Sequence, residues 1–166
     1  MTYDIEDMIN KYSTVIYRTA YAYVAHRQDA EDVMQEVFFS FVRKKPCFND
    51  EEHEKAWFLR VCANCAKTFL QRRNKSRTAS IETAEGNAAK PTDTTDFSPL
   101  YNAVMSLPPK QRLCIHLFYF EEYKIAQIKK ITGMNEATVK SNLCRARQKL
   151  KENLKGVYSD ECLEEI

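Results

Sequence analysis

The chain has 166 residues and a formal net charge of +2, with 44% of its residues hydrophobic and 11% aromatic, enough for one domain or two small ones. Its 3 Gly and 5 Pro supply too little turn chemistry for a many-stranded β fold, so a mainly helical protein is expected. No apolar run nears the ~18 residues that span a membrane, and Met1 to Ile5 lack the basic start and apolar stretch of a secretory signal, so direct membrane insertion is excluded and a cytoplasmic protein with reduced cysteines is expected.

A first helix is expected over Ile5 to Ala25, because Ile9, Tyr12, Ile16, Ala20 and Val24 recur at spacings of three and four. Asp29 reads as the N-cap of a second helix, with Asp32 in its acidic first turn. Ala30, Val33, Val37 and Phe41 fall on one side of that helix, Asp32, Gln35, Glu36 and Arg43 fall on another, and Pro46 ends it. A third helix is expected from Glu52 to Arg73, with Trp57, Val61, Cys65 and Phe69 as its core seam. Residues Lys67 to Arg77 then carry five basic side chains and no acidic one.

From Ser76 to Pro99 small and polar residues dominate and no period appears, which is linker composition. The expected organisation is all-α: a helical domain at residues 1–76, a flexible linker at 77–99, a helical domain at 100–156 and an acidic tail at 157–166. In the second domain, Leu100 to Met105 and Pro109 to Phe120 read as helices. A helix over Lys124 to Thr132, a turn at Gly133-Met134-Asn135 and a helix from Glu136 to Leu154 follow.

That last unit has the pattern of a helix-turn-helix. Gly133 can take the left-handed backbone that stops one helix sharply, and Asn135 can cap the next. Val139, Leu143, Ala146 and Leu150 share one face of the second helix, and Thr138, Ser141, Asn142, Arg145 and Lys149 share the neighbouring one, with Lys140 and Arg147 beside it. A dry seam backed by Arg, Lys, Ser and Asn is what reading a DNA major groove requires. Between Lys110 and Lys155 eleven Lys and Arg stand against four Asp and Glu, and such a block favours a polyanion because neutralised phosphates release counterions.

Four segments, in order, resemble the extracytoplasmic-function group of bacterial sigma factors, in the sigma-70 family. Asp29-Ala30-Glu31-Asp32-Val33-Met34-Gln35-Glu36-Val37-Phe38 resembles the family's polymerase-docking helix. Trp57-Phe58-Leu59-Arg60-Val61 with Asn64 resembles its promoter-melting helix. Leu107-Pro108-Pro109-Lys110-Gln111-Arg112 and the stretch from Thr132 to Leu150 resemble its fourth conserved region.

The resemblance implies that the chain binds core RNA polymerase through Asp32, Gln35 and Glu36 and directs it to promoter DNA. It implies that Asn64, Lys67, Thr68 and Gln71 capture a flipped base of the minus-ten element. Arg72 and Arg73, with Lys67, Lys75 and Arg77, can hold the backbone there. At the minus-thirty-five element, Lys140, Ser141 and Arg145 reach the bases while Thr138, Asn142 and Lys149 hold phosphates. An anti-sigma protein is implied as a further partner. Thr68 and Gln71 stand where the family often has Asp and Arg, which leaves the base preference open, and Lys129 stands where a small residue is usual.

No enzyme, cofactor or metal is expected. Cys62 and Cys65 form a CxxC without the second pair that a zinc site needs, and they fall within an apolar helix. No glycine-rich phosphate loop or nucleophile-and-base arrangement stands out. The rival readings are a stand-alone helix-turn-helix regulator of transcription and a helical adaptor that binds only protein. A docking helix beside a Trp-and-Asn helix with a basic run argues against both.

Overall fold

The computed structural model describes residues 3–79 and 98–158, and its named elements are all helical. They fall into two packed units, one N-terminal and one C-terminal.

In the N-terminal unit, α1 (Ile5–Val24) starts where the Asp4 carboxylate accepts the Glu6 N–H at 3.0 Å, and it stops at Ala25, whose φ of 54° is left-handed. The second helix, α2 (Arg27–Lys44), is capped by His26, whose Nδ1 accepts the Asp29 N–H at 3.4 Å. Asp29 is therefore inside the first turn and is not the cap expected, because an imidazole three residues earlier supplies the acceptor. Lys45, at φ 45°, closes the helix before Pro46.

The third helix, α3 (Glu51–Ala79), continues past Arg73 into the expected linker. Nothing from Asn74 to Thr78 breaks a helix, and the Thr78 hydroxyl donates back to the Asn74 carbonyl at 2.7 Å. The linker reading over residues 80–97 and the tail reading over 159–166 lie outside the described residues.

The apolar centre of this unit is Phe58, with the rings of Tyr12, Phe38, Phe41, Phe48 and Trp57 at centroid distances of 4.7 to 6.3 Å. The expected seam of α3 is one residue out of phase. Trp57, Val61, Cys65 and Phe69 are half-buried, whereas Phe58, Cys62 and Ala66 are buried, with Leu59 and Ala63. Three successive apolar residues at 57–59 fit either phase, and one step on a helix turns the seam by about 100°. On α1 the expected seam is buried at Tyr12, Ile16, Ala20 and Val24, and only Ile9 departs, exposed where the neighbouring Met8 is buried.

A buried carboxylate joins α1 to α3. Glu54 accepts the Tyr12 hydroxyl at 2.7 Å and the Lys11 ammonium at 2.9 Å, and Lys11 also lies 3.1 Å from Glu51. Burial alone would raise the Glu54 pKa, but the hydrogen bonds from Lys11 and Tyr12 hold it below the usual carboxylate range. The same contact with Glu54 raises Lys11, and burial first, then Glu54, pushes Tyr12 up to about 12.

In the C-terminal unit, α4 (Pro99–Met105) is capped by Ser98, and α5 (Pro109–Ile115) gives way to a π-helical turn over His116–Phe120. The expected helix over Pro109 to Phe120 is thus α for one part and π for the rest. The buried Arg112 donates to the Leu107 carbonyl at 2.6 Å and to the Met105 carbonyl at 3.2 Å, fixing the bend between α4 and α5. The remaining helices are α6 (Ile125–Thr132) and α7 (Glu136–Leu154). Leu113, Leu117, Ile128, Val139 and Leu143 fill the space between them.

Among the described residues no helix is long and apolar enough to cross a membrane, and no three His, Cys, Asp or Glu are grouped to hold a metal ion. Cys62 is fully buried, its thiol aimed at the Ile16 carbonyl at 3.5 Å, and burial raises the pKa of both Cys62 and Cys65. Cys47 and Cys144 are exposed.

Candidate nucleic-acid interface

Three exposed rows carry the expected site residues, two on the N-terminal unit and one on the C-terminal unit. The first is on α2. Burial of Ala30, Val33, Val37 and Phe41 turns Asp32, Gln35 and Glu36 outward, and all three are exposed. Glu36 makes only a loose surface pair with Arg43, at 3.7 Å. At the C-terminal end of the row stands Phe39, 65% exposed, with Val42 exposed a turn away. Sequence reasoning missed Phe39, although its spacing of seven, four and three from Asp32, Gln35 and Glu36 puts it on their face.

The second row is on α3. Asn64, Lys67, Thr68 and Gln71 follow a spacing of three, four and seven from the first, and all are exposed on one face. Arg72, Lys75 and Arg77 are exposed beside them. Arg73 differs. Its guanidinium lies 2.7 Å from the Asp29 carboxylate, and it is half-buried against α2.

The third row is on α7. Gly133 takes a φ of 75°, and its N–H donates to the Lys129 carbonyl at 2.9 Å, ending α6. Asn135, in extended backbone, accepts the Thr138 N–H at 2.7 Å and starts α7 two residues later. The turn is thus the one expected, and Lys129 is exposed between the buried Ile128 and Ile131. The seam of Val139, Leu143, Ala146 and Leu150 is buried throughout.

Opposite that seam, Lys140, Ser141, Arg145 and Lys149 are exposed and Thr138 is half-buried. Asn142 departs from the expectation. It is 8% exposed, and its amide donates to the Thr138 carbonyl at 3.0 Å and approaches the Met134 sulfur at 3.6 Å. One step from Leu143 and four from Ala146, it borders the seam and pins the turn, so its amide is already engaged inside the protein.

Cys144 and Gln148, which sequence reasoning passed over, are exposed beside Ser141 and Arg145 on the outward face. Counting three and seven from Ser141 would have found them. Arg147 faces the π turn, donating to the Tyr119 hydroxyl at 2.8 Å with its guanidinium 5.4 Å from the Phe118 ring centre.

Chemically, the α7 row offers cations and hydroxyl donors on a rigid helix held by a sharp turn. The α3 row offers an amide, a hydroxyl and cations on a helix that outruns its own core. The first suits a duplex groove and the second suits single-stranded bases with their phosphates.

Comparison with known proteins places a family match in each unit. The family model Sigma-70 region 2 matches residues 8–76, and the model Sigma-70, region 4 matches residues 98–150. The chain is 33% identical over 130 residues to the RNA polymerase sigma factor SigV of Bacillus subtilis, covering 78% of each. It is 26% identical over 148 residues to the ECF RNA polymerase sigma factor SigM of Mycobacterium tuberculosis, covering 89% of this chain and 76% of that one. Among solved structures its fold is similar to the sigma factor RpoE from Bartonella quintana, crystallised with the anti-sigma factor NepR. The TM-score is 0.71 at 22% identity, with 91% of this chain and 96% of that one covered.

Proposed function

This chain belongs to the sigma-70 family of RNA polymerase sigma factors, in its extracytoplasmic-function group, and from that premise we propose which residues meet the polymerase and which meet the promoter. As a sigma factor it is a transcription-initiation factor and not an enzyme.

The docking face on core RNA polymerase is the α2 row, and the observation that carries this reading is Phe39. An aromatic side chain 65% exposed, on the same face as Asp32, Gln35 and Glu36 of a helix that buries Ala30, Val33, Val37 and Phe41 on its other side, has the make-up of an interface anchor. The α3 row, with Asn64, Lys67, Thr68, Gln71 and Arg72, reads the opened minus-ten element. The α7 row reads the minus-thirty-five element, with Lys140, Ser141 and Arg145 at the bases and Lys149 and Thr138 on phosphates. Residues 1–76 and 100–156 are then the two working domains, with 77–99 as the linker between them and 157–166 as an acidic tail. The protein acts in the cytoplasm, and an anti-sigma protein restrains it, as NepR is described in complex with RpoE.

The test is reconstitution with core polymerase on a random promoter library. Promoter-specific transcripts are expected, and they disappear with Asp32→Ala plus Glu36→Ala. Phe39→Ala weakens core binding by at least tenfold, the effect of removing an anchor worth about 2 kcal/mol. If both variants bind core polymerase like the parent, the docking assignment is wrong. If the protein binds duplex DNA and never associates with core polymerase, it is behaving as a stand-alone regulator.

A further inference from the structure

Only part of α3 is held by its own unit. After Ala66 no described side chain of that helix is buried: Phe69, Leu70 and Arg73 are half-buried and the rest are exposed. Yet most of the row that meets the minus-ten element lies in this overhang, at Lys67, Thr68 and Gln71. The direction in which the row points therefore depends on what braces the overhang against the rest of the unit.

Arg73 is such a brace. Its Nη1 donates to Asp29 Oδ2 at 2.7 Å, across 44 residues of chain. The two side chains are 26% and 15% exposed, well below the exposure of Arg43 and Glu36 in their surface pair. The other Asp29 oxygen lies 3.4 Å from His26 Nδ1, a longer contact than the 2.7 Å bond from Arg73. Arg73 is accordingly the strong partner of Asp29. To turn towards a phosphate it would have to leave a mostly buried carboxylate behind, which is costly.

The location of the pair gives it a second consequence. Asp29 is three residues before Asp32, about 4.5 Å along α2, and Arg73 is six residues after Lys67, about 9 Å along α3. One short bond thus joins the helix that carries the docking row to the helix that carries the reading row.

We propose that Asp29 and Arg73 are positioning residues that set the reading row of α3 relative to the docking row of α2, and that Arg73 does not itself hold DNA. The inference rests on the reading of Asn64, Lys67, Thr68 and Gln71 as the minus-ten face. It moves Arg73 out of that face, where sequence reasoning had put it.

The sign of the Asp29→Asn effect decides between the two roles. The holoenzyme is assembled from core polymerase and the full chain on a promoter selected from the library, with 2-aminopurine in its minus-ten element. Core affinity and the rate of promoter opening are measured for the parent, Asp29→Asn, Arg73→Gln, the double variant and Asn64→Ala. A positioning pair predicts that both single variants slow opening by about tenfold, the size of a typical close-pair coupling, and that the double is no slower than either. Core affinity stays within about twofold of the parent.

If Arg73 instead gripped a phosphate, Asp29→Asn would free it and opening would hold steady or quicken while Arg73→Gln slowed it. That result overturns the proposal. So does a parallel fall in core affinity, which would mean that the pair only supports the fold. Far-ultraviolet circular dichroism checks that each variant is folded, and should a single variant not fold, the charge reversal Asp29→Arg with Arg73→Asp replaces it. Recovered opening in the reversal supports positioning, and its absence overturns it. Parent-like opening by Asn64→Ala would remove the minus-ten face and the proposal with it. That failure is distinct from failure of the pair alone, in which Asn64→Ala slows opening and Asp29→Asn does not.

Discussion

The two units hold their functional helices by different means. In the N-terminal unit the hold is deep: long helices, a ring cluster around Phe58, and the Glu54 carboxylate satisfied by Lys11 and Tyr12 across α1 and α3. In the C-terminal unit the helices are mostly short, and backbone devices set their directions: the left-handed Gly133, the Asn135 cap, the Arg112 guanidinium on two carbonyls. A helix anchored by side chains far inside can overhang its core and present a row beyond it, as α3 does. A helix anchored at its first turn points where that turn sends it, as α7 does.

Damage to the deep centre should be the most severe and should stay within its own unit. Phe58→Ala is expected to cost the N-terminal unit about 4 kcal/mol, from lost transfer energy and the cavity left behind. Fluorescence of Trp57, the chain's single tryptophan, follows that unit alone, while helical circular dichroism follows both. Loss of the tryptophan transition with part of the helical signal surviving supports two separate cores. Complete loss of helix would break the comparison.

Next comes the ionic tie. Glu54→Ala strands the Lys11 and Tyr12 donors and should cost about 2 kcal/mol, less than a fully buried pair because Lys11 is partly exposed. The pH dependence has a definite sign. Glu54 titrates lower folded than unfolded, so its contribution is present above the ordinary carboxylate pKa of 4.5 and is lost as pH falls through the folded value. Lys11 titrates higher folded, so its contribution is complete below 10.5 and is lost as pH rises through its folded value. The Trp57 melting temperature should be level across neutral pH and fall on the acid side, and Glu54→Gln should flatten that acid fall. An unchanged acid limb in Glu54→Gln would mean that other carboxylates control it.

The C-terminal devices should give smaller effects that appear in DNA binding. A methyl group at Gly133 meets nothing within 4 Å, so the cost of Gly133→Ala is backbone strain alone, about 1–2 kcal/mol at a φ of 75°. Asn135→Ala should cost about 1 kcal/mol through the lost cap. Both should weaken binding of minus-thirty-five duplex while leaving core-polymerase affinity unchanged, and a change in core affinity would contradict the division between units. The finest test sets Lys149 against Asn142. Lys149→Ala should lower the log–log salt slope of duplex binding by about 0.9. Asn142→Ala should leave the slope where it is, since its amide serves the turn.

The helix-turn-helix was fully legible because Gly133 and Asn135 have meanings tied to position: one tolerates positive φ and the other accepts a backbone N–H. Most helix spans were legible from periodicity. The phase of the α3 seam was not, because Trp57, Phe58 and Leu59 satisfy the pattern in any of three rotations until neighbouring helices choose one. The His26 cap was hidden because imidazole is an uncommon cap and Asp29 a common one. The length of α3 was hidden because its last turns are polar and owe little to burial. In the sites, Asn142 was misplaced because a residue on the border of a seam looks polar-faced by type, and only packing shows which way it turns. Phe39 was overlooked for the opposite reason, since an apolar residue on a helix is ordinarily assigned to the inside.

The π turn at His116–Phe120 has a consequence for how much the chain can change. Its bond from the Glu121 N–H to the His116 carbonyl, at 3.1 Å, encloses one more residue than an α turn does. Removing a single residue there would leave an uninterrupted α turn of nearly the same heading, because the π turn fits one extra residue into about one revolution. The segment behaves as a slack turn that takes up one residue. Removal of one residue from it should therefore be tolerated better than removal of one from the middle of α7, where each residue carries about 100° of rotation.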